Sequence, residues 1–242
     1  MTKITLVSKM KQAIFAACLL SLVITGPVKI QVGDDWSDAA GYEECAEWVV
    51  ANKTLPKPIS EICGVDLECP GHEHVDNPDC GFGIRKVSGG KWVGTKLVDS
   101  EGDKKYQTAF HRLFDYISGA NADGAKIPMT APVIMKTFMD SSFKEIGGAT
   151  YFYIPSAFQA NPPAPTNDQV YFEDWDDALV YYRALGDKSD DIPLDVWVAE
   201  YTNLGVALQK YGHSFYTYES IGAGYTDPWS KEQRMEAMFA AI

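Results

Sequence analysis

Pro128 and Pro132 stand with three residues between them in the run Lys126-Ile127-Pro128-Met129-Thr130-Ala131-Pro132-Val133, and that run limits the fold more than any other. Each ring fixes its own φ and pushes the preceding residue, Ile127 or Ala131, towards an extended conformation. Neither proline can donate to a ladder, so the run is an edge strand or the entrance to a strand, and not helix. Directly after it, Val133, Met135 and Thr137 alternate with Ile134, Lys136 and Phe138, which predicts a strand with one mostly apolar face. Before it, Tyr106, Phe110, Leu113, Phe114 and Ile117 recur at helical spacing over residues 103–118, and Gly119 ends the pattern.

The first segment has a different character. Lys3, Lys9 and Lys11 precede an uncharged apolar run over residues 13–25, shorter than the ~20 residues a spanning helix needs. This predicts an export signal over residues 1–26; an uncleaved anchor is the alternative, because Pro27 follows Gly26 without a clear small-x-small site. The expectation is a protein secreted or held in the secretory lumen, with no stable membrane insertion once the signal is gone. Loss of the segment takes the formal net charge from −12 to −15. Such a balance repels phosphate backbones and anionic membrane surfaces, so a nucleic-acid partner is not expected.

Residues 27–80 read as a cysteine-containing extension. Trp36, Tyr42, Trp48 and Val49 suggest one amphipathic helix within residues 37–52, and Pro56, Pro58, Cys-Pro-Gly and Asn-Pro-Asp make the remainder loop-like. Cys45, Cys63, Cys69 and Cys80 remain after Cys18 leaves with the signal, and in an exported chain they predict two disulfides with three possible connectivities. Cys63, Cys69, His72, His74 and Cys80 also mix thiolate and imidazole as a zinc site does, but not in a paired C-x-x-C spacing. Disulfides are therefore expected, with His72 and His74 as solvated loop residues. Asn52-Lys53-Thr54 is a glycosylation sequon if the chain enters a eukaryotic secretory pathway.

Residues 81–242 form the main domain. A strand over residues 82–87, the turn Ser88-Gly89-Gly90 and a return over residues 91–98 read as a hairpin. Further strands are expected at 150–154, at 170–173 and 179–184 as a pair around an acidic turn, at 215–218 and at 234–239. A second helix, capped by Asp191, spans about residues 193–210 and ends at Gly212, and Ala223-Gly224-Tyr225 leads into a loop.

Several of these strings resemble the SOUL/haem-binding protein family. They are Lys-x-x-Met-Thr-Ala-Pro-Val at residues 126–133, Phe82-Gly83-Ile84-Arg85 with Lys91-Trp92-Val93, and Tyr153-Ile154-Pro155 with Phe158-Gln159 and Pro162-Pro163-Ala164-Pro165. The closing Arg234-Met235-Glu236 is similar to the family's terminal strand. The resemblance implies an α+β fold, a distorted antiparallel β-barrel of two similar halves flanked by two α-helices. It also implies non-covalent binding of haem or a related tetrapyrrole in an open apolar cleft, without an established enzymatic reaction. Carried over position by position, the cleft takes Phe110 and Phe114, large enough to stack on a macrocycle, and Lys231 beside Trp229 for a propionate. Lys86 stands where some members carry histidine, and lysine is a poor iron ligand while protonated. His111 flanks the phenylalanines and is the one candidate axial ligand; His213, Met129 and Met135 read as structural.

The sequence lacks Gly-x-Ser-x-Gly, His-Glu-x-x-His and a phosphate-binding glycine loop. Two other readings stay open: an exported tetrapyrrole-modifying, dechelatase-like enzyme, and a protein-interaction module whose extension covers the cleft. The protein partner of such a module is not specified by the sequence.

Overall fold

The computed structural model describes residues 62–64, 67–76, 82–142, 144–185, 192, 194–226 and 234–242. The expected export signal, the helix within residues 37–52, Cys45, Asn52, Cys80, Asp191, Trp229 and Lys231 lie outside the described residues. One antiparallel sheet holds nine strands: β1 (His72–Asp76), β2 (Gly83–Val87), β3 (Gly90–Lys96), β4 (Val133–Met139), β5 (Glu145–Tyr153), β6 (Val170–Trp175), β7 (Ala178–Ala184), β8 (Glu219–Gly224) and β9 (Met235–Ala240). Helices α1 (Lys105–Ile117) and α2 (Leu194–Lys210) complete an α+β architecture. Across the sheet the order is β1-β2-β7-β9-β8-β4-β5-β3-β6.

The strands expected as hairpins do not pair with each other. β2 pairs with β7, from Gly83↔Tyr182 to Val87↔Ala178, and β3 pairs with β6, from Gly90↔Trp175 to Thr95↔Val170. The two short connectors, Ser88-Gly89 and Asp176-Asp177, therefore cross at one corner, where the Gly89 N–H donates to Asp177 Oδ1 at 2.9 Å. A Cβ on Gly89 would stand 2.2 Å from the Trp175 carbonyl oxygen, so only glycine lets the backbones cross this closely. Crossing draws the two ends of the sheet together. Trp92 on β3 and Arg85 on β2 line one cavity although five strands separate β2 from β3 in the sheet order. The result is a curled, barrel-like sheet that remains open, with β1 and β6 as its edges.

Strand alternation sorts the side chains onto two faces. Val93, Phe152 and Val170 join Leu113, Tyr116 and Ile117 beneath α1, and Ile84, Tyr181 and Phe239 join Leu204 and Leu208 beneath α2. Their strand neighbours, among them Trp92, Tyr151, Val180 and Met238, fill the opposite, concave side. Both helices thus lie on one face of the sheet. Pro128 and Pro132 form the entrance to β4, which is a central strand and not an edge. The alternation read for that strand holds: Ile134 and Lys136 face the concave side, while Val133 packs towards α1.

Two further expectations are corrected. His72 and His74 belong to edge strand β1, paired with Val87 and Arg85, and not to a loop. The strand expected at residues 215–218 lies later, at β8, and Phe215 makes only an isolated bridge to Ala241. Gly222 and Gly224 gave that segment the look of a loop. A Cβ at Gly222 would meet the Trp197 ring of α2 at 3.2 Å and Met135 at 3.3 Å, so the glycine is a close-approach position inside a strand.

The crossing generates a paired prediction. Gly89→Ala should lower stability by about 1–3 kcal/mol, the cost of forcing extra atoms into a packed contact. Gly205→Ala, in the middle of α2 with its nearest neighbours 3.8 and 3.9 Å from the new Cβ, should raise stability by about 0.5–1 kcal/mol. Denaturant unfolding of the two variants checks both signs.

Candidate functional site

The outer flank of α1 carries the aromatic pair expected to stack on a ligand. Ala109, Leu113, Tyr116 and Ile117 are the residues α1 buries. This rotation of the helix leaves Phe110 half-buried and Phe114 39% exposed. Their rings run nearly parallel, 14° apart with centroids at 5.9 Å, and Phe110 meets Phe152 edge-on at 5.3 Å. Met129 and Val133 pack against the same cluster. His111 is exposed and sets its ring edge-on to Phe110 at 5.9 Å. Phe110, Phe114 and His111 are therefore neighbours on one flank.

Lys86 is not among them. It stands exposed on β2, 3.9 Å from Asp177, and its strand neighbour Ile84 packs under α2. His213 packs its ring against Phe82 at 5.7 Å and Tyr181 at 5.0 Å, a structural position. Cys63 and Cys69 are joined as a disulfide. The segment around them closes over the concave face: Ile62 is buried in that core, Ala131 N–H donates to the Glu68 carbonyl at 2.9 Å, and Ser156 N–H donates to the Glu68 carboxylate at 2.6 Å.

On the concave side lies a cavity of about 190 Å³, lined by Trp92, Trp175, Ile134, Ile221 and Met238, with Arg85 and Lys136 in its wall. Among the described residues, none of those expected to bind ligand (Phe110, His111, Phe114, Lys86) lines it, and no sequence signal pointed to it. Each of its strands alternates ordinarily, and only the curl brings them together. Arg85 donates to Glu236 through both terminal nitrogens, at 3.0 and 3.3 Å, and to the Tyr225 hydroxyl at 2.9 Å. Arg234 adds a 2.6 Å bond to Glu236, whose side chain is 0% exposed. Burial opposes the charge on Arg85, but the neighbouring Tyr225 and Glu236 outweigh it and hold its pKa above the ordinary value. Burial, with Glu236 close by, pushes the Tyr225 hydroxyl well above the usual tyrosine range, so it stays protonated. Lys136 lies 4.5 Å above the Trp175 ring and 3.4 Å from Glu219.

Comparison with known proteins fixes the family. The description "SOUL heme-binding protein" matches residues 67–240. The chain belongs to the SOUL family. It is 31% identical over 158 residues to Heme-binding protein 2 of Mus musculus, covering 65% of this chain and 76% of that one. To Heme-binding protein 2 of Homo sapiens it is 35% identical over 134 residues, covering 54% and 65%. Among solved structures, the C-terminal domain of EcmrR aligns with a TM-score of 0.48 at 13% identity, covering 66% of this chain and 96% of that one.

The carboxylate at the centre of the buried ion cluster sets a test. Glu236→Gln removes the counter-charge shared by Arg85 and Arg234 and should cost about 3–5 kcal/mol of stability. Urea unfolding, together with the near-ultraviolet circular dichroism of the surrounding aromatics, would register it.

Proposed function

We propose that this SOUL-family chain is a secreted carrier of haem or a related tetrapyrrole, held on the Phe110/Phe114 flank of α1. The observation that carries this reading is the parallel, partly exposed phenylalanine pair on a rigid helix, in a chain whose relatives are named heme-binding proteins. A macrocycle laid on Phe114 extends an existing stack and covers apolar ring surface, worth about 25 cal/mol per Å² removed from water. His111 is the proposed weak axial contact, and Lys231 beside Trp229 the proposed propionate partner. The two runs of strand-strand-helix-strand-strand, from β2 to β5 and from β6 to β9, are read as two similar halves, with the open cleft on the first. The concave cavity does not suit the macrocycle, because about 190 Å³ falls below the roughly 300–1,000 Å³ of sites that enclose drug-sized ligands.

Haem supplies an iron centre and two propionates when bound; the chain's part is to stack, orient and pair charge. Stacking hardly depends on the metal, so metal-free porphyrin should bind within about tenfold of haem, roughly 1.4 kcal/mol. Phe110→Ala with Phe114→Ala should weaken both ligands, whereas His111→Ala should change the haem spectrum more than the affinity. Recovery of the ligand unchanged by mass spectrometry separates a carrier from a dechelatase-like enzyme. A strong, histidine-dependent preference for haem over the free porphyrin would overturn the stacking account.

Export is the second part of the reading, supported by the basic-then-apolar opening, the four cysteines beyond it and the Cys63–Cys69 disulfide. Cys45 and Cys80 are then expected as the second pair, and Asn52 as glycosylated in a eukaryotic host. Intact-mass measurement of the secreted chain, alkylated with and without prior reduction, should show no free thiol before reduction. Free Cys45 and Cys80 would count against it.

A further inference from the structure

We propose that the Cys63–Cys69 disulfide is a redox latch on the concave cavity, and that a small dithiol opens it and releases residues 62–64 from the cavity wall. Both cysteines line the cavity, and both are half-buried, so a small reductant reaches them without unfolding the sheet. The bond closes a loop with a sequence separation of only 6 residues. It joins the two sides of one short loop and no two strands, so the strand pairing of the sheet stands without it.

The two sides of that loop are anchored differently. On the Cys69 side, Glu68 bridges Thr130, and it accepts the Ala131 N–H at 2.9 Å and the Ser156 N–H at 2.6 Å. The chain then runs on into β1, and the Ser88 N–H donates to the Gly71 carbonyl at 2.7 Å. On the Cys63 side, Ile62 is buried in the concave core, and two bonds stay within the loop itself. Gly64 N–H donates to the Leu67 carbonyl at 2.8 Å, and Leu67 N–H to the Ile62 carbonyl at 3.3 Å. The disulfide is thus the short tie that holds Ile62 and Cys63 to the anchored side. Closing so short a loop favours the attached state by roughly ten- to fiftyfold, because it removes conformations of the open chain.

The exchange balances. One thiolate of the dithiol attacks a cysteine sulfur, breaks the Cys63–Cys69 bond and forms a mixed disulfide; the second thiolate of the dithiol then expels that cysteine. The chain gains two electrons and two protons as two thiols, and the reductant leaves as its own disulfide. Without the tie, residues 62–64 come away, Ile62 withdraws from the core, and the wall opens where Cys63 stood. The Glu68 contacts keep the Cys69 side in place. Redox state thereby sets access to the concave side, independently of any ligand on the Phe110/Phe114 flank, which lies on the opposite face of the sheet.

The test compares the full-length chain before and after dithiothreitol, using a variant with Cys45→Ser and Cys80→Ser that confines the redox change to the Cys63–Cys69 pair. Reduction should speed amide hydrogen exchange about ten- to fiftyfold at Gly64 and Leu67, and less than about twofold at Ala131 and across β3, β4 and β5. A neutral nitroxide in solution should broaden the Ile221 and Met238 methyl resonances of the cavity wall severalfold more in the reduced chain. Reoxidation should restore both readings, and Cys63→Ser with Cys69→Ser should hold the released state whatever the reductant. Equal acceleration at every amide would make the disulfide a staple of the whole fold. No change at Gly64 and Leu67 would mean that burial of Ile62 alone holds the wall. Either result overturns the proposal, as does unfolding of the reduced chain; if only the Cys63→Ser, Cys69→Ser variant fails to fold, the reduced chain carries the comparison. A chain that binds no haem but opens on reduction keeps the latch and loses only the carrier reading.

Discussion

The crossing of two connectors at Gly89 is the constraint on which the rest of the structure depends. Were β2 and β3 a simple hairpin, the sheet would lie open and its concave side would face water. Exchanging partners, β2 for β7 and β3 for β6, ties the two ends of the sheet at one corner without hydrogen-bonding the edges to each other. Two backbones can cross there because position 89 has no side chain and its N–H finds Asp177. Everything on the concave side follows from this curl: the Trp92–Trp175 stack, the enclosure of Tyr151 and Met238, and the cavity between them.

A curled sheet with charged groups in its interior has a desolvation problem to solve. Arg85 is 5% exposed and Glu236 fully buried, and each ion alone would cost several kcal/mol to remove from water. The bidentate contact, the Tyr225 hydroxyl and the Arg234 bond bring the cluster nearer to balance, and Arg85 lies over the Tyr182 ring at 3.9 Å. Arg183 and Glu200 meet the same need on the other face, at 2.9 Å between β7 and α2. Such a cluster adds little net stability over well-packed apolar residues of similar volume. The geometry around Glu236 is satisfied only when β2, β9 and the Tyr225 turn are in one register.

Local patterns were legible in the sequence wherever one period ruled a segment. Helix α1, helix α2, the entrance at Pro128 and Pro132 and the two faces of β4 all came from spacing and from proline geometry. Partner choice was not legible. Ser88-Gly89-Gly90 reads as a hairpin turn, because a glycine that permits a turn and one that permits a crossing look the same in a sequence. Gly222 and Gly224 misled in a similar way, removing the side chains that would have marked β8 while leaving room for Trp197 and Met235. On the candidate site, the Phe110/Phe114 pair was visible as a stripe. That the buried stripe is instead Ala109, Leu113, Tyr116 and Ile117, with the phenylalanines on its flank, needed the packing of α1 on the sheet. The cavity needed the crossing, and no local pattern encodes that.

Size and placement separate what the two faces of the sheet can hold. A tetrapyrrole is flat and broad, and its binding rests on area covered on one or both sides; an exposed ring beside a helix serves it without enclosure. The concave cavity, about 190 Å³, is walled by strands and by the Cys63–Cys69 segment. Opening it far enough for a macrocycle would mean lifting that segment, withdrawing Ile62 from the core and breaking the bonds that Ala131 and Ser156 make to Glu68. Each of those bonds contributes only about 0.5–1.5 kcal/mol, but Ile62 adds about 1.5–3 kcal/mol of burial, and all three would be lost together. Laying a macrocycle on the α1 flank loses none of them, and that difference favours the outer face for a ligand of that size.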